Sequence, residues 1–109
     1  MRRWLGVGLL VSAALLTASQ PIPRFYSVDP DTGKKGDVIV GKGENLGKPI
    51  VADVLLSNGT KDTSVAISAQ SDSEVRFQIP DVAPGRYRVL ILSADHSAII
   101  EQPVVVNVQ

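Results

Sequence analysis

The sequence predicts an all-β domain, a two-sheet antiparallel β-sandwich of about seven short strands. Prolines and glycines recur from Pro30 to Gly85 and leave only strand-length segments between them. Those segments are rich in β-branched residues, and none in the part of the chain after residue 19 shows sustained helical periodicity. That part has 90 residues, enough for one domain with its own core.

The N-terminal segment has the features of a secretory signal peptide. Residues 1–3 carry two arginines, Trp4 to Leu16 is an apolar run of 13 residues, and small residues precede Gln20. An uncleaved membrane anchor is the alternative, but a span needs about 20 apolar residues. We therefore predict a signal peptide at 1–19, a domain at 20–109 and an exported protein that is periplasmic, on the cell surface or extracellular, with no membrane association after cleavage.

The composition of the predicted domain excludes several kinds of function. Without Arg2 and Arg3 it has nine Lys and Arg residues against eleven Asp and Glu, a formal charge of −2, which does not favour nucleic acid or an anionic membrane as a partner. The chain has no cysteine, so hydrophobic packing must stabilise it without a disulfide. It also has no thiolate for zinc or for nucleophilic chemistry.

The first half of the domain contains three predicted strands. Phe25–Val28 is the first, and Asp29–Gly33 is a turn with proline and glycine at positions that turns favour. Asp37–Gly41 is the second strand, and its alternation alone leaves open which face is buried. Ile50–Leu56 is the third.

The second half contains four more strands after a hairpin signal at Asn58-Gly59. Glu74–Ile79 alternates most regularly, as a half-buried antiparallel strand does. The set of later strands is Ser64–Ala69, Glu74–Ile79, Arg86–Ser93 and Ala98–Val108.

Two of these strands have further features. Leu90 and Leu92 lie opposite the phase of Tyr87, so both faces of that strand are apolar and we expect a central strand or a covered surface. Pro103 interrupts the last strand and predicts a bulge or an edge position there.

The order of these features resembles the IPT/TIG family, whose name combines immunoglobulin-like, plexin and transcription-factor. The resemblance extends over nearly all of Ile22 to Val108 and rests on motifs at matching separations. The motifs are Pro30, Gly33 and Gly36; Gly43-Glu44-Asn45-Leu46; the alternating strand Val75–Pro80; and Pro84-Gly85-Arg86-Tyr87.

The resemblance implies an immunoglobulin-like sandwich of the early-set type. It favours Ile39 and Gly41 as the buried face of the second strand. Gly41 stands where the family prefers a β-branched residue, so we expect a bulge or a close backbone approach there. Tyr87 resembles the tyrosine corner of immunoglobulin-like folds, whose hydroxyl bonds back to the connection before its own strand, and we expect a structural role for it.

A partial calcium-ligand pattern occurs in the first turn, where Asp29, Asp31 and Gly33 alternate and Asp37 follows. The pattern lacks the complete ligand ladder and the terminal Glu of an EF-hand. A turn stabilised by Asp side chains explains the same residues, so we predict no metal site.

Two other motifs have plain structural explanations. Asp95 and His96 are neighbours in a predicted loop, whereas a catalytic triad combines residues from separate elements, so we expect a solvated loop histidine. Asn58-Gly59-Thr60 matches the N-glycosylation sequon, and the hairpin turn is the alternative explanation. The sequence thus predicts no catalytic residue, no cofactor and no enzyme activity.

The predicted function is that of an exported, non-enzymatic module for protein interaction or for structural and cell-surface assembly. Self-association through the face with Leu90 and Leu92 is one form of it. The alternative is a small carbohydrate-binding module. Sugars bind exposed aromatic faces, and Phe25 and Tyr26 are the candidates because Phe77 and Tyr87 are predicted core residues.

Basic residues cluster at one end of the predicted domain, but acidic residues lie among them. We interpret this end as a solvated, mixed-charge face and predict no nucleic-acid site there. The lysines in question are Lys34, Lys35, Lys42 and Lys48.

Overall fold

The computed structural model describes residues 21–109 as a β-sandwich, and the predicted signal peptide lies outside these residues. The nine strands are β1 Arg24–Asp29, β2 Thr32–Gly33, β3 Val38–Glu44, β4 Val51–Ser57, β5 Asp62–Ser64, β6 Ala66–Gln70, β7 Glu74–Gln78, β8 Gly85–Ser93 and β9 Ile99–Val108. The first sheet has the order β1-β3-β7-β6 and the second the order β2-β9-β8-β4-β5. Between residues 21 and 109 there is no helix with the length and apolar character of a membrane span.

Two short strands raise the number from the expected seven to nine. Thr32–Gly33 leaves the predicted turn and pairs in parallel with the end of β9. The segment predicted as one strand, Ser64–Ala69, is divided at Val65, because the chain crosses there from the second sheet to the first. Val65 is buried at the crossing and joins the core.

The core fills the space between the two sheets. Alternate residues of each long strand point into it, as the period of two requires. In β3, Ile39 and Gly41 are buried and Val38 is exposed, which confirms the face that the family resemblance favoured. The largest fully buried side chains are Phe25, Phe77, Ile39, Leu46, Leu56, Ile79 and Ile91.

Two glycines of β3 allow close approach of β1. A Cβ on Gly41 would overlap the ring of Phe25. A close approach was expected at Gly41, and the group that approaches is this ring and not the backbone. A Cβ on Gly43 would overlap the carbonyl oxygen of Arg24, which is backbone. The bulge considered for Gly41 lies on the facing strand instead, where the register shifts between Phe25 and Ser27.

The second sheet confirms three expectations about its long strands. β8 lies between β4 and β9 and is therefore central. Pro103 lies in a bulge of β9, because Arg88 pairs with Val105 while Leu90 pairs with Glu101. The hydroxyl of Tyr87 donates a hydrogen bond to the carbonyl oxygen of Ala83, with 2.6 Å between the oxygens, which completes the expected tyrosine corner.

Removal of this hydroxyl tests the structural role of Tyr87. The ring is 4 % exposed, so Tyr87→Phe keeps the packing and leaves the carbonyl of Ala83 without its donor. We expect the free energy of unfolding to fall by about 1 kcal/mol in urea denaturation. Tyr26→Phe is the matched control because its hydroxyl is exposed, and an equal loss in both variants would contradict the role.

Candidate functional site

Exposure separates the two aromatic candidates for a sugar platform. Phe25 is fully buried, so its prediction as a sugar-contacting residue was wrong: the β1 bulge turns its ring into the core. Tyr26 is 59 % exposed, and its hydroxyl donates to the carboxylate of Glu44. This hydrogen bond stabilises the neutral phenol and raises the pKa of Tyr26 above its ordinary value.

An aliphatic patch lies on the outer face of the second sheet. We call Leu55, Leu90, Leu92 and Ile99 the apolar stripe, because Leu55 pairs with Leu90 and Leu92 pairs with Ile99. Leu55 and Leu92 are half-buried, Leu90 is 9 % exposed and Ile99 is 55 % exposed. The apolar face predicted at Leu90 and Leu92 is confirmed. Leu55 and Ile99 join it because they pair with these two residues across the strands.

A polar cleft of about 510 Å³ lies on the same sheet beside the β9 bulge, and we call it the β9 cleft. It has two arginines on one face of β8, and Arg88 lies 3.4 Å from Glu101. The pattern of the arginines is visible in the sequence, but their partners from β4 and β9 depend on strand pairing. The lining residues are Ser57, Asn58, Gly59, Arg86, Arg88, Glu101, Gln102, Pro103 and Val105.

The Asn58-Gly59 hairpin borders this cleft. Ser57 pairs with Asp62, so the connection has four residues, and Gly59 has a φ of 95°. The side-chain oxygen of Asn58 accepts hydrogen bonds from the backbone N–H groups of Thr60 and Lys61 at 2.9 and 2.8 Å. The predicted hairpin is confirmed, and the asparagine side chain is exposed.

The acidic turn uses its carboxylates locally. Asp37 accepts a hydrogen bond from the backbone N–H of Lys34 at 2.9 Å, and Asp31 accepts one from the hydroxyl of Thr32 at 3.1 Å. In residues 21–109, no three histidine or acidic side chains are grouped as metal ligands would be.

In the loop between β8 and β9, the carboxylate of Asp95 is hydrogen-bonded to two serines and not to His96. The carboxylate accepts hydrogen bonds from the Ser97 hydroxyl at 2.6 Å, the Ser97 backbone N–H at 3.0 Å and the Ser93 hydroxyl at 2.8 Å. These bonds favour the charged form, and they lower the pKa of Asp95 to about 2. The side chain of His96 is exposed, and its backbone has a left-handed conformation with a φ of 61°.

The depressed pKa predicts a pH response of this loop. Because the folded-state pKa lies below the ordinary value of 3.8, the stabilisation is complete above that value and is lost as the pH falls through about 2. The carboxyl ¹³C resonance of Asp95 should titrate with a midpoint near 2. In Ser97→Ala the midpoint should rise toward 3.8, and an unchanged midpoint would show that Ser97 is not the cause.

The comparisons with known proteins begin with a family match. The IPT/TIG domain family matches residues 23–106. The chain is 31 % identical over 75 residues to a cyclomaltodextrin glucanotransferase of Bacillus sp. (strain 6.6.3). That alignment covers 69 % of this chain and 10 % of the glucanotransferase, so the chain spans about a tenth of this relative's length.

Two solved structures share the fold. A protein of unknown function from Bacteroides thetaiotaomicron VPI-5482 superposes with a TM-score of 0.71 at 14 % identity, over 84 % of this chain and 23 % of that one. SGBP-B of the Bacteroides ovatus mixed-linkage glucan utilization locus, solved with a mixed-linkage heptasaccharide, gives a TM-score of 0.53 at 18 % identity, over 76 % of this chain and 22 % of that one. At these identities the two structures show the fold alone.

Proposed function

This chain belongs to the IPT/TIG domain family, and we propose that it is an exported, non-enzymatic module that works by protein contact in a carbohydrate-related assembly. The apolar stripe is the observation that carries the proposal. The predicted signal peptide supports export. The glucanotransferase and SGBP-B support the carbohydrate context, because the first is a cyclomaltodextrin glucanotransferase and the second was solved with a mixed-linkage heptasaccharide.

The outer face of an antiparallel sheet in a small sandwich is usually polar. In the second sheet it instead carries two adjacent aliphatic pairs, and the last residue of the stripe, Ile99, leaves more than half of its side chain in water. Covering such a surface is favourable by about 25 cal/mol for each Å² of apolar area. The stripe is therefore a surface on which the binding of a partner would be favourable.

We propose that the partner that covers the apolar stripe is a second copy of the domain. A two-fold contact needs only one patch, because the same residues serve both copies. The stripe has only four side chains, far below the area of a standard stable interface, so we expect weak and reversible association. A contact centred on Leu92 and Ile99 lies at the β8–β9 hairpin end of the sheet.

Sedimentation equilibrium of residues 20–109 over a wide concentration range tests this function. We expect reversible dimerisation that Ile99→Glu abolishes. Val38→Glu is the matched control, since Val38 is 43 % exposed on the outer face of the other sheet, and it should dimerise like the wild type. Leu90 is a poor choice for this test because its side chain is 9 % exposed and a substitution would disturb packing. If the wild type is still monomeric at the highest concentration, the hypothesis of self-association is wrong.

A second candidate function is carbohydrate binding, and the exposure of Tyr26 favours it. Its hydrogen bond to Glu44 restricts the ring, which leaves a flat apolar surface of the kind that sugars stack on. A glycan array with wild type, Tyr26→Ala and Tyr26→Phe tests it. Binding that is lost in Tyr26→Ala and kept in Tyr26→Phe supports ring stacking. The absence of wild-type binding removes this candidate.

A further inference from the structure

The β9 cleft contains the two buried polar side chains of the described core. Ser57 is 7 % exposed and Gln102 is 6 % exposed, while the other core residues are hydrophobic. They come from different strands, β4 and β9, and meet at the same cleft. Buried polar groups need hydrogen-bond partners, so their bonding shows which atoms the cleft offers to a ligand.

The side-chain oxygen of each neutral polar residue described below accepts a hydrogen bond from a backbone N–H group of the protein. The Ser57 hydroxyl oxygen accepts from the Gly59 N–H at 3.2 Å, and the Gln102 oxygen accepts from the Phe25 N–H at 2.7 Å. The Asn58 oxygen accepts from its own turn. The cleft therefore presents few acceptors of its own.

The hydrogens of the same side chains are much less engaged. Within residues 21–109, neither the Ser57 hydroxyl hydrogen nor the Asn58 amide hydrogens have a protein acceptor. The Gln102 amide makes one long bond of 3.4 Å to the carbonyl of Ile100. The side-chain groups left for a ligand are thus mainly donors.

Two arginines add charge to these donors. Arg86 and Arg88 lie on the same outer face of β8, both exposed, and Arg86 forms no ion pair with any residue from 21 to 109. Glu101 engages Arg88 and is the acidic residue of the lining, so the lining has a net charge of +1. A guanidinium matches a carboxylate with two parallel hydrogen bonds.

We propose that the β9 cleft binds the carboxylate of an acidic saccharide, a sugar of the uronic acid class. Arg86 holds the carboxylate, and the donors of Ser57 and Asn58 bond to ring hydroxyl oxygens and the remaining carboxylate oxygen. Pro103 and Val105 supply the apolar contact for a sugar ring. The cleft volume of about 510 Å³ lies within the range of small-ligand sites.

The choice of a saccharide rests on the second candidate function, carbohydrate binding, but the site is a different one. Tyr26 lies on the first sheet, and the cleft lies on the second. The cleft also differs in its residues from the apolar stripe, although the two are neighbours on the sheet, because Glu101 of the cleft pairs with Leu90 of the stripe. Arg88 in the cleft and Leu92 at the centre of the proposed dimer contact are four residues apart on β8, about 13 Å at the rise of a strand.

Titration calorimetry of residues 20–109 at low salt tests the proposal with trigalacturonate, its methyl ester and maltotriose. We expect trigalacturonate to bind and the two uncharged trisaccharides to bind at least tenfold more weakly. Arg86→Gln should weaken trigalacturonate binding about tenfold or more, as the loss of a charge-assisted hydrogen bond predicts. Arg24→Gln, which removes an exposed arginine from the other sheet, should leave it unchanged.

A gain of affinity provides an independent check. Glu101→Gln removes the acidic neighbour and releases Arg88, so it should tighten trigalacturonate binding several-fold, a result that misfolding could not produce. The proposal is overturned if trigalacturonate does not bind, if its methyl ester binds equally well, or if Arg24→Gln and Arg86→Gln have the same effect. Binding of neutral glycans that depends on Tyr26 alone would overturn this site and leave the carbohydrate-binding function standing.

Discussion

Gly43→Ala should lose about 3 kcal/mol of unfolding free energy, because the new methyl carbon would lie only 1.9 Å from the Arg24 carbonyl oxygen. Backbone cannot rotate away as a side chain can, so β1 must separate from β3. A domain of this size has a total stability of roughly 5 to 13 kcal/mol. Urea denaturation should therefore show a much lower midpoint.

Gly47→Ala is the control for this variant. A Cβ on Gly47 would lie 3.5 Å from the Pro49 ring, an ordinary contact, so its stability should change by less than about 1 kcal/mol. Equal midpoints for Gly43→Ala and Gly47→Ala would show that β1 and β3 do not approach as described.

Phe25→Ala should be equally damaging for a different reason. The ring is fully buried and fills the space beside Gly41, so its removal leaves a cavity between the sheets. Truncation of a buried phenylalanine costs about 3 to 5 kcal/mol. Thermal and urea denaturation should both show a largely destabilised domain.

The neighbouring aromatic residue is the matched control. Tyr26→Ala removes a ring of similar size from the same strand, but that ring is 59 % exposed, and we expect a change of about 0.5 kcal/mol or less. If Tyr26→Ala proved the more destabilising of the two, the register of β1 would be wrong by one residue, since a slip of one residue exchanges the two faces.

The strands with strong alternation could be predicted closely from the sequence. Glu74–Ile79 was expected and Glu74–Gln78 is observed, because Val75 and Phe77 can be buried only in a pleated strand. The tyrosine corner was also predictable, since the local chain before Tyr87 supplies its acceptor. These features depend on residues that are close in sequence.

Features that depend on pairing between distant strands and leave no local sign in the sequence could not be predicted. The β1 bulge decides that Phe25 is buried and Tyr26 exposed, and nothing within Phe25–Val28 indicates a bulge. The division of Ser64–Ala69 between the sheets depends on where β4 and β7 end. The β9 cleft combines residues more than 40 positions apart, so its donors could be recognised only after the strands were paired.

Concentration-dependent ¹H–¹⁵N chemical shifts of the wild-type domain test the central claim, that the outer face of the second sheet is the contact surface. As the protein is diluted, the amides of Leu55, Leu92 and Ile99 should shift together along one binding curve. Those of Val38 and Arg76, on the outer face of the first sheet, should not move. Shifts confined to the first sheet, or none at any concentration, would contradict the claim.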